Sequence, residues 1–128
     1  MRYLIATHGT LAQGFANTLT LLAGIENVDV ICAYSCMGTA IEQQFEEKIK
    51  DYNDQEPIVV FTDIFGGSVT QVAVKMLKGF NAHVIAGVNL ALILEMILMR
   101  TPAETEAIQQ IVNQAKEQIV YVNAFIES

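Results

Sequence analysis

Short apolar, β-branched runs alternate with segments of helical period along this chain, and that alternation limits the folds open to it more than any other feature. RYLIAT (2–7), VDVICAY (28–34), PIVVFT (57–62) and AHVIAGV (82–88) read as strands. Between them, residues 10–23 place Leu11, Phe15, Leu19 and Leu22 on one helical face. Residues 39–52 do the same with Ile41, Phe45, Ile49 and Tyr52, behind Thr39 as an expected N-cap. Residues 68–79 read as a helix opened by Ser68 as N-cap and closed by Gly79. Residues 90–100 and 103–118 form two further helical segments, separated at Thr101 and Pro102. A last run, IVYVNAF (119–125), reads as a C-terminal strand able to pair at a sheet edge of its own chain or of a neighbour.

Strand–helix alternation of this kind predicts a doubly wound, three-layer α/β/α domain. Its sheet is mainly parallel with right-handed crossovers, and the expected strand order is 2-1-3-4. No linker or low-complexity stretch interrupts the pattern, so residues 1–128 are expected to form a single domain.

Charge and cysteine content narrow the function. A formal net charge of −7 argues against nucleic acid, whose phosphates call for clustered Lys and Arg. Charged residues are only 16% of the chain, below the usual ~25%, which leaves apolar surface for a partner. The stretch VIAGVNLALILEMILM is broken by Asn89 and Glu95 and falls short of a membrane span of about 20 residues. A cytoplasmic protein is expected. Cys32 and Cys36 lack the further ligands of a metal site and read as reduced thiols; no metal is expected.

The chemistry concentrates at two strand ends. Ligands of open parallel sheets gather at the carboxyl ends of strands, near the point where strand order reverses. The first strand ends in ATHG with His8; the third ends in TDIFGGS with Asp63, and in the expected order these two strands are neighbours. A carboxylate that accepts one imidazole N–H fixes the tautomer, leaving the other nitrogen nucleophilic, and balances the charge that develops. Gly66, Gly67 and Ser68 at a helix start, with Gly9 and Thr10 at another, offer backbone N–H groups and hydroxyls to an anionic group. Singly, each feature has a structural explanation: a histidine at a turn, a helix-start carboxylate, a common Gly-Gly-Ser turn. Their convergence points to a histidine that accepts a phosphoryl group. No GK[ST] loop, GxGxxG fingerprint or GxSxG elbow offers another chemistry.

These segments resemble the enzyme IIA component of the mannose-type phosphoenolpyruvate-dependent sugar phosphotransferase system. IATHGTLAQG is similar to its first motif, TDIFGGSVTQVA to its second and AGVNLALILEMI to its third, in order and over essentially the whole chain. The resemblance implies that the carrier protein HPr phosphorylates His8, and that the group passes on to a IIB component serving a membrane IIC/IID complex. It implies that Asp63 hydrogen-bonds His8, and that Ser68 and the glycine amides surround the phosphoryl group. It places Phe65 at the border of the docking surface. It also implies a homodimer that exchanges its C-terminal strand, and no metal or soluble cofactor. Two departures stand out. Val69 follows Ser68 where the family often has proline, and YSCMG (34–38) is unlike the family pattern, so Met37 is expected to shape partner or sugar-system specificity. The alternatives are a phosphohistidine domain of a dihydroxyacetone kinase phosphotransferase subunit, a regulatory module of the same fold, and a small-molecule binder in which His8 only hydrogen-bonds a ligand.

Overall fold

β-Branched and large apolar residues suit a pleated strand covered on both faces, and the first strand shows it: in β1 (Arg2–His8) the five residues between the ends are all buried. A computed structural model describes residues 1–35 and 39–127 of the chain. It divides into two compact units, Met1–Val88 and Asn89–Ser128.

The first unit carries β1, α1 (Leu11–Ala23), β2 (Val28–Ala33), α2 (Ile41–Ile49), β3 (Ile58–Thr62), α3 (Ser68–Met76) and β4 (Ala82–Ile85). The four strands form one parallel sheet in the order β2-β1-β3-β4, as the sequence predicts. Register pairs His8 with Ala33 on one side of β1 and Ala6 with Thr62 on the other, so the carboxyl ends of the three strands lie within two residues of one another.

Side chains alternate across the sheet. Leu4 and Ala6 of β1 and Ile58 and Val60 of β3 join Phe45 and Ile49 of α2 and Val69 and Ala73 of α3 in one buried cluster. The odd-numbered neighbours face the other way: Tyr3 stacks on Phe61, their ring centroids 6.4 Å apart, and the buried Thr7 hydroxyl accepts the N–H of Ala12 in α1 (2.7 Å). At the opposite, amino-terminal edge, Arg2 lies 4.6 Å over the Tyr52 ring, whose hydroxyl donates to Asp29. Burial, then that hydrogen bond, push the Tyr52 phenol far above its ordinary range.

Cap assignments shift by one residue. Ala40, not Thr39, caps α2, and Gly67, not Ser68, caps α3; neither cap bonds through a side chain.

The second unit contains α4 (Leu90–Leu98), α5 (Thr105–Lys116) and α6 (Val122–Glu127). Asn89 caps α4: its Oδ1 accepts the Leu92 N–H (2.8 Å), and its Nδ2 donates to the Ala115 carbonyl at the end of α5 (3.2 Å). Asn89→Ala is expected to lower stability by about 1–2 kcal/mol, read as a drop in chemical-denaturation midpoint, because both bonds go at once.

The expected strand at 119–125 is a correction. Residues 122–127 are helical, and Ile119, Tyr121, Val122, Phe125 and Ile126 are exposed. A strand needs a neighbouring edge to take its N–H and C=O groups, whereas a helical turn satisfies them within the segment. Strand propensity without an edge therefore did not decide the conformation. Among the described residues, no helix is long and apolar enough to cross a membrane.

Candidate active site

The site lies wholly within Met1–Val88, at the carboxyl edge where β1 and β3 run side by side. His8 is the last residue of β1, and Asp63 follows the last residue of β3. One carboxylate oxygen, Asp63 Oδ2, accepts the main-chain N–H of His8 (2.9 Å) and stands 3.0 Å from its ring Nδ1. With the proton of a neutral imidazole held on Nδ1 by that contact, Nε2 becomes the nucleophilic nitrogen.

Asp63 is well suited to this task. Burial alone pushes its carboxyl up, but the His8 main-chain N–H, the His8 ring and its own amide outweigh burial and hold it below the usual carboxylate range. It is therefore an anion wherever histidine is neutral, and it stabilises positive charge arriving on the ring.

The loop after β3 is tied down from beneath. Thr62 and Thr70 share a buried hydroxyl–hydroxyl bond (2.8 Å). Thr70 Oγ1 donates to the Ile64 carbonyl (2.7 Å), and Gln71 Nε2 donates to the Gly66 carbonyl (3.2 Å). These bonds fix residues 63–67 against α3. Gly67 has an ordinary extended backbone, so its lack of a side chain is a matter of space: a Cβ there would stand 3.3 Å from the Ile64 carbonyl oxygen and 3.5 Å from His8 Cε1. A methyl group would crowd the Ile64 carbonyl and come into ordinary contact with the imidazole edge.

The structure thus brings His8 and Asp63 into contact, sets Gly67 against the ring, and puts Ser68 at the first turn of α3. Gly66 lies in the turn before it. Gly9 and Thr10 join β1 to α1, with Gly9 in the left-handed region (φ 60°) that a side chain rarely adopts. The Gly9 N–H is taken by the Ala33 carbonyl (2.7 Å), so this amide holds β2 to β1. Phe65 is 87% exposed beside the site, and Ile64 is exposed with it. Met37 lies outside the described residues.

One contact was not legible in the sequence. Tyr34, directly after β2, donates to or accepts from Ser68 Oγ (2.8 Å), and its ring centroid lies 5.6 Å from that of His8. The YSCMG stretch marked the neighbourhood but not this residue.

Fold and site together define a class: a doubly wound parallel α/β domain with a carboxylate-held histidine at its switch point. Residues 2–116 match the family described as the PTS system fructose IIA component, and the chain belongs to this mannose-type enzyme IIA family. It is a component of a phosphoenolpyruvate-dependent sugar phosphotransferase system. It is similar to a Klebsiella pneumoniae protein described as a permease of that system (33% identity, TM-score 0.88, covering 98% of this chain and 93% of the other). It is similar to component EIIA of the phosphotransferase system from Streptococcus agalactiae (25%, 0.80, 96% and 98%). The mannose/sorbose-specific IIA subunit from Enterococcus faecalis shares the fold (17%, 0.77, 93% and 92%). No curated protein matches the chain.

Proposed function

We propose that this chain is a phosphoryl relay, and that His8 Nε2 is the atom that carries the group. In the forward step the lone pair of Nε2 attacks the phosphorus of phosphohistidine on HPr. The new P–Nε2 bond forms as the P–N bond to the donor imidazole breaks, and that imidazole leaves with its electron pair. The Nδ1 proton stays between ring and Asp63, whose negative charge offsets the charge gained by the imidazole. A second, equivalent displacement passes the group to a IIB component, which serves a membrane IIC/IID complex. Thr10, Gly66 and Ser68 are assigned to hold the phosphoryl oxygens, and Phe65 to the surface that meets HPr and IIB; the Gly9 and Gly67 N–H groups, expected to join them, are already given to the Ala33 and Ile64 carbonyls (2.7 and 3.2 Å), so these two glycines serve by leaving room beside the ring. Met37 is assigned to partner specificity from its sequence position alone. The protein works in the cytoplasm, as one enzyme IIA domain over 1–128.

One observation carries this reading: the 3.0 Å contact between His8 Nδ1 and Asp63 Oδ2, which assigns the two ring nitrogens different tasks. The test is incubation with phosphoenolpyruvate, the first enzyme of the system and HPr. The intact mass is expected to rise by one phosphate, stable in base and lost in acid. An unchanged mass sinks the relay.

The same reading includes a homodimer. Ile119, Tyr121 and Ile126 are each more than 70% exposed, more apolar surface than a short terminal segment leaves in water without a partner. A chain ending before Ile119 is expected to sediment as a monomer, and the full chain as a dimer. An unchanged dimer after truncation places the interface elsewhere.

A further inference from the structure

We propose that Tyr34 is a positioning residue for the phosphoryl group on His8, acting through Ser68; this rests on the reading of His8 as the phosphoryl acceptor. The first observation is the backbone. Tyr34 has φ 64°, a left-handed conformation that a bulky side chain adopts only when its surroundings impose it. Those surroundings are visible. Ala33 is held to the end of β1 by its register with His8 and by the Gly9 N–H. Ser35 Oγ donates back to the Cys32 carbonyl (2.7 Å) and closes the turn. An extended residue at position 34 would carry the chain on past the sheet edge. The left-handed turn instead brings the ring beside His8 and the hydroxyl to α3.

Burial does not explain this placement, because Tyr34 is 59% exposed. What the ring gains is the tilted contact with the imidazole (5.6 Å between centroids, 34° between planes) and the 2.8 Å bond to Ser68 Oγ.

The bond has a direction that matters. A phenol O–H is more acidic than an alcohol O–H and is the better donor, so Tyr34 donates to Ser68 Oγ. Ser68 is the first residue of α3 rather than its cap, and its hydroxyl is not engaged in capping the helix. With one of its lone pairs taken by Tyr34, Ser68 keeps its own proton to present outward, to a phosphoryl oxygen. The phenol thereby sets which way the serine points before the phosphoryl group arrives, and polarises the bond it makes. The aromatic ring also lies near the imidazole as it becomes cationic, within the range over which an aromatic ring and a cation attract.

The competing role for an exposed aromatic here is partner docking, and a small phosphoryl donor separates the two. Phosphoramidate labels histidine without a protein partner: the P–N bond to ammonia breaks, ammonia leaves, and the P–Nε2 bond forms. Tyr34→Phe keeps the ring and removes the hydroxyl. It is expected to slow labelling about tenfold with phosphoramidate as well as with phospho-HPr, the worth of one oriented hydrogen bond. Ser68→Ala is expected to slow it comparably, and the double variant no further than the slower single variant. Tyr34→Gly relieves the left-handed backbone; its melting temperature is expected to equal or exceed the wild type while its labelling falls at least as far as that of Tyr34→Phe. Wild-type labelling of Tyr34→Phe by phosphoramidate overturns the inference, whatever happens with HPr. So do effects of Tyr34→Phe and Ser68→Ala that multiply. A lower melting temperature for Tyr34→Gly overturns the assignment of backbone strain. Wild-type protein that neither donor labels fails the relay reading itself and takes this inference with it; labelled wild type with an unaffected Tyr34→Phe fails this inference alone.

Discussion

His8→Ala is expected to take up no phosphate from phosphoenolpyruvate through HPr, while folding as the wild type does. On the proposed relay the loss is complete, because Nε2 of this one imidazole is the atom assigned to bond phosphorus. The fold survives because one of the two bonds to Asp63 comes from the main-chain N–H of residue 8, which alanine retains. The measurement is intact mass after incubation, with circular dichroism as the control. Acid-labile phosphate on a folded His8→Ala chain would assign the acceptor elsewhere, His83 being the other histidine.

Asp63→Asn has the second largest expected effect and separates charge from shape. The amide is nearly isosteric, and its oxygen can still accept the His8 N–H. In the proposed relay it no longer supplies the negative charge that offsets the imidazole when Nε2 bonds phosphorus, and its NH2 competes for the opposite tautomer. Labelling is expected to slow on the order of 10²-fold or more, by analogy with carboxylate-to-amide changes beside catalytic histidines. A wild-type rate would show that Asp63 only holds the loop.

The same variant carries a pH signature. The Asp63 carboxyl is held below its ordinary range in the folded chain, so its ionised form contributes stability above the unfolded value of about 4. That contribution disappears as pH falls through the lower, folded value. The stability gap between wild type and Asp63→Asn is therefore expected near neutrality and should close in acid, followed by denaturant unfolding at a series of pH values.

The sheet was readable because its signals reinforce one another. Ile58–Thr62 is buried along its whole length, as its unbroken apolar run implies, and strand–helix alternation admits few orders besides β2-β1-β3-β4. The pairing of His8 with Asp63 was readable for a related reason: parallel neighbours finish at one edge, so two strand ends 55 residues apart had to meet. Tyr34 was not readable. Propensity assigns a left-handed backbone to glycine or asparagine, and an aromatic residue in that conformation follows from tertiary contacts that a local pattern does not carry. The segment 119–125 failed in the opposite sense. Its Ile, Val and Tyr content is strand-like, but a strand is a relation between two segments, and composition names only one of them.

The pleat of β1 has a consequence for insertions and deletions. Thr7 is buried on the α1 side, where its hydroxyl holds the Ala12 N–H, and His8 shares the side of Leu4 and Ala6, facing Gly67. A one-residue slip at the carboxyl end of β1 would exchange the two, turning the imidazole toward α1 and an alcohol toward Gly67, even with every strand hydrogen bond re-formed. An insertion or deletion ahead of His8 must therefore be absorbed at the amino-terminal end of β1 or in a bulge, so that residues 7 and 8 keep their faces.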